Sequence, residues 1–169
     1  MTQHLPDLTV RPARQNDISE LRALLNEIVE LGGTTAIETP LTDEMFKAYF
    51  LHGDAHICCN VAVTRSGNLA GFQAVERHPN LPDDWADIAT FARLAPKTPG
   101  VGTAMFAVTQ AFAKNEGVIA INATIRADNS GGLAYYDKMG FETYAVDKNV
   151  PLLNGTPIDR ISKRLFLRA

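Results

Sequence analysis

The stretch KTPGVGTAMF, Lys97 to Phe106, sets two glycines one residue apart immediately before an apolar run. Upstream, ADIATFARL (Ala86–Leu94) reads as a strand. Downstream, Val101, Met105, Val108 and Phe112 recur at helical spacing until Gly117. A glycine loop between a strand and a helix has two readings. It is a turn that collected glycines, or a cradle where free backbone N–H groups and the positive end of the helix dipole converge on a phosphate. A Walker loop needs G-x-x-x-x-G-K-[ST], which occurs nowhere in the chain. A dinucleotide fingerprint needs a third glycine where Met105 stands. If Gly100 and Gly102 hold a phosphate, it belongs to another kind of ligand.

The surrounding chain bounds the answer. Its 169 residues suit one domain spanning 1–169, with 46% hydrophobic and 21% charged residues. A formal charge of −3 gives no reason to expect nucleic acid as a partner. No apolar run approaches the roughly 20 residues that cross a bilayer, so no membrane partner is expected. No secretory signal is visible at the start, and Cys58 and Cys59 read as buried, reduced thiols, since strand neighbours point to opposite faces. A cytoplasmic location is the expectation. The histidines His4, His52, His56 and His78 are scattered without ligand spacing, so no metal site is expected.

Hydrophobic period orders the elements. Leu8 to Arg11 is a short strand, and NDISELRALLNEIVELGG follows as a helix with Ile18, Leu21, Leu25 and Ile28 on one face. Asp17 and Glu20 have capping-box spacing, and Gly32-Gly33 stops the run. A shorter helix starts after Thr42. HICCNVAVT and LAGFQAV, joined by RSGN, form a hairpin that precedes the strand from Ala86. VIAINATIR (Val118–Arg126) is a further strand, then a helix from Ser130 to Met139, then two strands near Phe141–Val146 and Arg160–Leu167. The order β-α-α-β-β-β-α-β-α-β-β predicts an α/β (mixed α+β) domain, a largely antiparallel mixed sheet with helices on both faces.

A second stretch, NSGGLAYYDKMGF (Asn129–Phe141), bears on the glycines. With it, the chain resembles the GNAT superfamily of acyl-CoA-dependent N-acyltransferases. The family's first signature, [QR]-x-x-G-x-[GA] between strand and helix, reads here Lys97-Thr98-Pro99-Gly100-Val101-Gly102, with lysine in the first place. Its second is an asparagine, a tyrosine seven residues on, and a closing Y-x-K-x-G-F. Asn129, Tyr136 and YDKMGF match it. Within the superfamily, VRPARQNDISELRALLNEIVELGGTTAIETPLT resembles the opening of the phosphinothricin and methionine sulfone amino-acid N-acetyltransferases.

The resemblance implies acetyl-CoA as acyl donor, with the backbone of Lys97, Thr98, Gly100, Val101, Gly102 and Thr103 around its pyrophosphate. It implies pantetheine pairing along the strand at Phe91 and Ala92, where an N–H would meet the oxyanion. Tyr136 is the candidate acid, a phenol protonated at neutral pH; a core aromatic is the alternative. Asn129 is read as cofactor contact and helix cap together. Asp87 lies thirteen residues before Gly100, where the amino-acid branch carries a glutamate base; a surface carboxylate beside Asp83 and Asp84 is the alternative. Tyr135 projects about 100° from Tyr136 and is read as packing. By analogy, the acceptor pocket involves the first two helices and Gly33–Thr39, with Arg77 and His78 as a carboxylate clamp.

The expected activity is therefore transfer of an acetyl group from acetyl-CoA to the amine of a small molecule, an amino acid or its analogue, in a ternary complex without an acyl-enzyme. The rivals are a peptide or polyamine acceptor, and a non-catalytic CoA-binding module. A homodimer is an expectation from the resemblance alone.

Overall fold

The RSGN turn closes a hairpin as its residues dictate, and the meander it starts becomes the centre of the sheet. The computed structural model describes residues 7–168, so His4 lies outside it. The strands are β1 (Leu8–Pro12), β2 (His56–Thr64), β3 (Leu69–Glu76), β4 (Trp85–Ala92), β5 (Ala120–Arg126), β6 (Glu142–Pro151) and β7 (Pro157–Phe166). The helices are α1 (Ile18–Leu31), α2 (Asp43–Phe50), α3 (Val101–Asn115) and α4 (Ser130–Lys138). The sheet order is β1-β2-β3-β4-β5-β7-β6. Neighbours are antiparallel except β4 and β5, which are parallel and joined through α3.

Each face of the sheet has its own core. On one, Leu21, Leu24 and Leu25 of α1 and Phe46 and Phe50 of α2 meet Phe72 and Phe91. Phe72 and Phe91 stack with centroids 4.9 Å apart, and Phe46 meets Phe72 edge-on at 5.2 Å. On the other, Val75, Ile88, Phe106, Ile121, Tyr136 and Phe141 pack beneath α3 and α4. Each such side chain contributes about 1.5–3 kcal/mol on burial. Cys58 joins the second core and Cys59 the first, as alternation requires. Both are free thiols, pushed by burial up to about 11 and about 12.

Two local readings are corrected. Asp17 does not cap α1: it has helical backbone angles and no cap bond. Its carboxylate takes two bonds from Arg11, at 2.7 and 2.9 Å, and one from Arg14 N at 2.7 Å, closing a 3-10 turn. A charge-assisted fork outcompetes a neutral helix amide, and Glu20 turns instead to Arg93 at 3.0 Å. On α3, Val101 and Met105 are buried, but Val108 and Phe112 are 41% and 43% exposed. The inner face continues through Phe106, Thr109 and Ala113, because Thr109 accepts a bond from buried Asn60. α2 starts after Thr42 as read, and Thr42 caps it, accepting from Met45 N.

Candidate active site

The parallel pair is short. β4 and β5 are in register only from Trp85↔Ala120 to Asp87↔Asn122. Beyond that, β5 follows β7 as far as Arg126 while β4 stays with β3 as far as Ala92. A slot opens between them. Arg93 N donates to Ala70 O at 2.8 Å, which sets the alternation of the β3–β4 ladder. By that alternation Phe91 directs its backbone to β3, and Thr90 and Ala92 direct theirs to the slot. Of the two residues expected to line a cofactor edge, Ala92 offers backbone groups there. The Phe91 ring sits in the α1/α2 core.

Tyr136 reaches the slot from the α4 side. Its hydroxyl lies 2.9 Å from Thr90 Oγ1, its ring is 6% exposed, and burial raises its pKa well above that of a free phenol. Tyr135 does more than pack. Its hydroxyl donates to Gly102 O at 2.8 Å and accepts from Gln73 Nε2 at 3.1 Å; burial pushes its pKa up to about 12. Gln73 also donates to Thr90 at 3.0 Å, so Gln73 and Thr90 connect the two tyrosines. Gln73 is fully buried, and its Oε1 has no partner among the described residues. The signal for Gln73 was present in the sequence, as the one polar side chain inside the apolar run LAGFQAV.

Asp87 approaches from the opposite face of β4. It is half-buried, unlike exposed Asp83 and Asp84, and burial raises its pKa. Asn122 Nδ2 donates to Asp87 Oδ1 at 2.8 Å, and Tyr144 donates its hydroxyl to Asn122 Oδ1. Register places Glu76 beside Asp87 on β3 and Arg164 beside Asn122 on β7. The Arg164 guanidinium lies 4.9 Å from the Tyr144 ring centre and 5.2 Å from that of Phe166. Trp85 closes the cluster edge-on to both rings.

At the head of α3, Gly100 is the N-cap with φ 81°, and no side chain caps the first turn. Val101 turns its side chain into the core, so only its backbone faces outward. A Cβ on Gly102 would stand 2.5 Å from Tyr135 Cε2, so this glycine is also required by the tyrosine. Lys97 is exposed and Thr98 half-buried. Asn129 caps α4, accepting from Gly132 N at 2.9 Å, and donates to Thr34 O at 2.9 Å. Arg126, paired with Asp128 at 2.7 Å, donates to Thr35 O at 3.2 Å. The loop after α1 is thus tied to the start of α4. Arg77 is not a clamp: it donates to the carbonyls of Asp83 at 2.6 Å and Glu116 at 3.2 Å. His78 accepts from Asn80 N. The described residues hold no cluster of metal-ligating side chains, and no described helix is long and apolar enough to cross a membrane.

Residues 10–162 match the acetyltransferase (GNAT) domain model. The chain belongs to that family and is an acetyltransferase by class. A GCN5-related N-acetyltransferase from Kribbella flavida has TM-score 0.81 and 23% identity, covering 95% of this chain and 98% of its own. A GNAT superfamily phosphinothricin acetyltransferase from Sinorhizobium meliloti, in complex with AcCoA, has TM-score 0.84 and 19% identity, covering 95% and 89%. A ribosomal-protein-alanine N-acetyltransferase from Brucella melitensis has TM-score 0.79 and 21% identity, covering 94% and 99%. No curated protein matches the chain. The likeness at these identities is one of fold, shared by relatives named for different acceptors.

Proposed function

We propose that this protein transfers an acetyl group from acetyl-CoA to the amine of a small molecule, an amino acid or its analogue, in one ternary complex. The observation that carries the reading is the meeting of Tyr136 and Asp87 at β4, from opposite faces of the sheet, where β4 leaves β5. Acetyl-CoA lies with its pyrophosphate on the uncapped amides of Val101 to Thr103, flanked by Lys97, Thr98 and Gly100, and its pantetheine along Thr90 and Ala92. Asn129 stands at the same end of the slot. The amine nitrogen attacks the thioester carbonyl, and a slot-facing amide receives the oxyanion. The carbon–sulfur bond breaks as the amide forms. Asp87 takes the proton from nitrogen, and Tyr136 gives one to sulfur, leaving CoA thiol. Burial keeps the Tyr136 phenol protonated at neutral pH, so the proton is in place for the departing sulfur.

An amino-acid acceptor brings a carboxylate, and Arg164 replaces the Arg77 and His78 clamp as its counter-charge. It has no ion-pair partner within salt-bridge distance among the described residues, and it flanks Asn122. The chain acts as one catalytic domain. Buried thiols at Cys58 and Cys59 suit the cytoplasm, and exposed Tyr144, Val146 and Phe166 suit a homodimer.

The test is thiol release from acetyl-CoA over a panel of amines: amino acids, methionine sulfone, phosphinothricin, spermidine and a short peptide. Turnover is expected on amino-acid acceptors, with losses of about 100-fold or more in Tyr136→Phe and Asp87→Asn. Turnover on spermidine or peptide alone overturns the acceptor class. Silence on all, with acetyl-CoA bound equally by wild type and Tyr136→Phe, favours a binding module.

A further inference from the structure

We propose that Asn122, oriented by Tyr144, is the positioning residue that fixes the Asp87 carboxylate for proton acceptance. The inference rests on Asp87 as base. Asn122 is 4% exposed on β5, at the last register position shared with β4. Its amide is fully engaged: Nδ2 donates to Asp87 Oδ1 at 2.8 Å and to Thr124 Oγ1 at 3.1 Å, and Oδ1 accepts from Tyr144. An ionised carboxylate only accepts, so the NH₂ end must face Asp87. Tyr144, donating to the other end, holds the amide against rotation.

The consequence is a carboxylate with one oxygen fixed and the other left for the amine proton. An aspartate arm is one methylene shorter than a glutamate, and a fixed rotamer compensates by holding that reach constant. The N–H also favours the ionised form, in which the base works, against burial and against neighbouring charge. The groups facing Asp87 are Glu76 on β3, His56 opposite Glu76 on β2, His78 after β3, Tyr49 of α2, and Arg164 beside Asn122. Glu76 opposes ionisation of the pair, whereas His78 favours it. Asn122 is the group among them that bonds the carboxylate directly, and it carries no charge of its own.

The experiment pairs kinetics with a readout that needs no turnover. The Asp87 side-chain carboxyl is followed by carbon NMR against pH in the free protein, for wild type, Asn122→Ala and Tyr144→Phe. The expected result is an Asp87 midpoint moved to higher pH in Asn122→Ala, and moved less, in the same direction, in Tyr144→Phe. The acid limb of kcat/KM follows both, kcat/KM at neutral pH falls about tenfold in Asn122→Ala, and the KM for acetyl-CoA stays unchanged. Tyr144 is partly exposed on the edge strand, so Tyr144→Phe keeps the inference testable if Asn122→Ala does not fold. Midpoints and limbs identical to wild type in either folded variant overturn the role of that residue. If Asp87→Asn keeps its turnover, the base assignment fails; the NMR midpoints still report whether Asn122 holds the carboxylate.

Discussion

Replacing Gly102 with alanine asks what the second glycine of the loop is for. The added methyl would stand 2.5 Å from Tyr135 Cε2 and 3.0 Å from Cζ. The ring cannot slide away freely, because its hydroxyl donates to Gly102 O and accepts from Gln73. Overpacking a filled site costs about 1–3 kcal/mol, and losing the Tyr135 bond adds about 1 kcal/mol. Against this stands the helix preference of alanine, at most about 1 kcal/mol. The balance is a loss of about 1–3 kcal/mol, or roughly 2–12 °C in thermal midpoint for a chain of this size. Urea unfolding of Gly102→Ala, Tyr135→Ala and the double variant measures it. With the ring removed, only the helix preference remains, and the alanine becomes neutral or stabilising. The two changes should therefore couple by at least about 1 kcal/mol. A Gly102→Ala protein as stable as wild type, or the same effect in both backgrounds, refutes the steric reasoning and leaves phosphate approach as the sole reason for the glycine.

Two further outcomes follow from named contacts. Burial raises the pKa of Asp87 in the fold, so wild type loses stability as pH rises from the ordinary aspartate value through the raised one; Asp87→Asn lacks that loss. Its thermal midpoint should equal or exceed wild type at pH 8, with the difference shrinking toward pH 4, and a midpoint clearly below wild type at pH 8 contradicts this. Asn129→Ala removes the α4 cap, a loss of about 0.5–2 kcal/mol, and releases Thr34 O; amide exchange in residues 33–39 should quicken, and unchanged exchange would show the loop held by Arg126 alone.

The sequence was most legible where a local rule had no competitor. The hairpin around RSGN, the start of a helix after Thr42 and the separation of Cys58 from Cys59 depend on neighbours in the chain, and each took the expected form. Asp17 was misread because the winning partner, Arg11, sits on another element. α3 formed where the spacing put it, but its inner face runs through Thr109, which bonds buried Asn60, rather than through Phe112. Of the candidate site, Gly100, Gly102, Asn129 and Tyr136 were named from the family signatures and Asp87 from the same resemblance. Gln73, Thr90, Asn122 and Tyr144 carry no motif. They stand at the candidate site only because the sheet brings their strands level with one another, and Asn122 and Tyr144 meet across a β7 strand that lies between theirs.

The slot has a cause in side chains as well as in topology. A parallel pair would ordinarily stay zipped while both strands have apolar faces to bury. Here the pairing stops at Asp87↔Asn122, where a side-chain bond joins the two strands across the last shared register. Above it, Thr90 is drawn to Tyr136 and Gln73, while Thr124 on β5 contacts Ser162 of β7. Each strand satisfies its polar side chains away from the other, and the backbone between them is left with groups free to pair with a strand-like partner. The same Asp87–Asn122 contact that ends the β4–β5 pairing also holds Asp87, the base we propose, at the foot of that opening. On that proposal, one pair of residues sets both where the slot begins and where the proton is received.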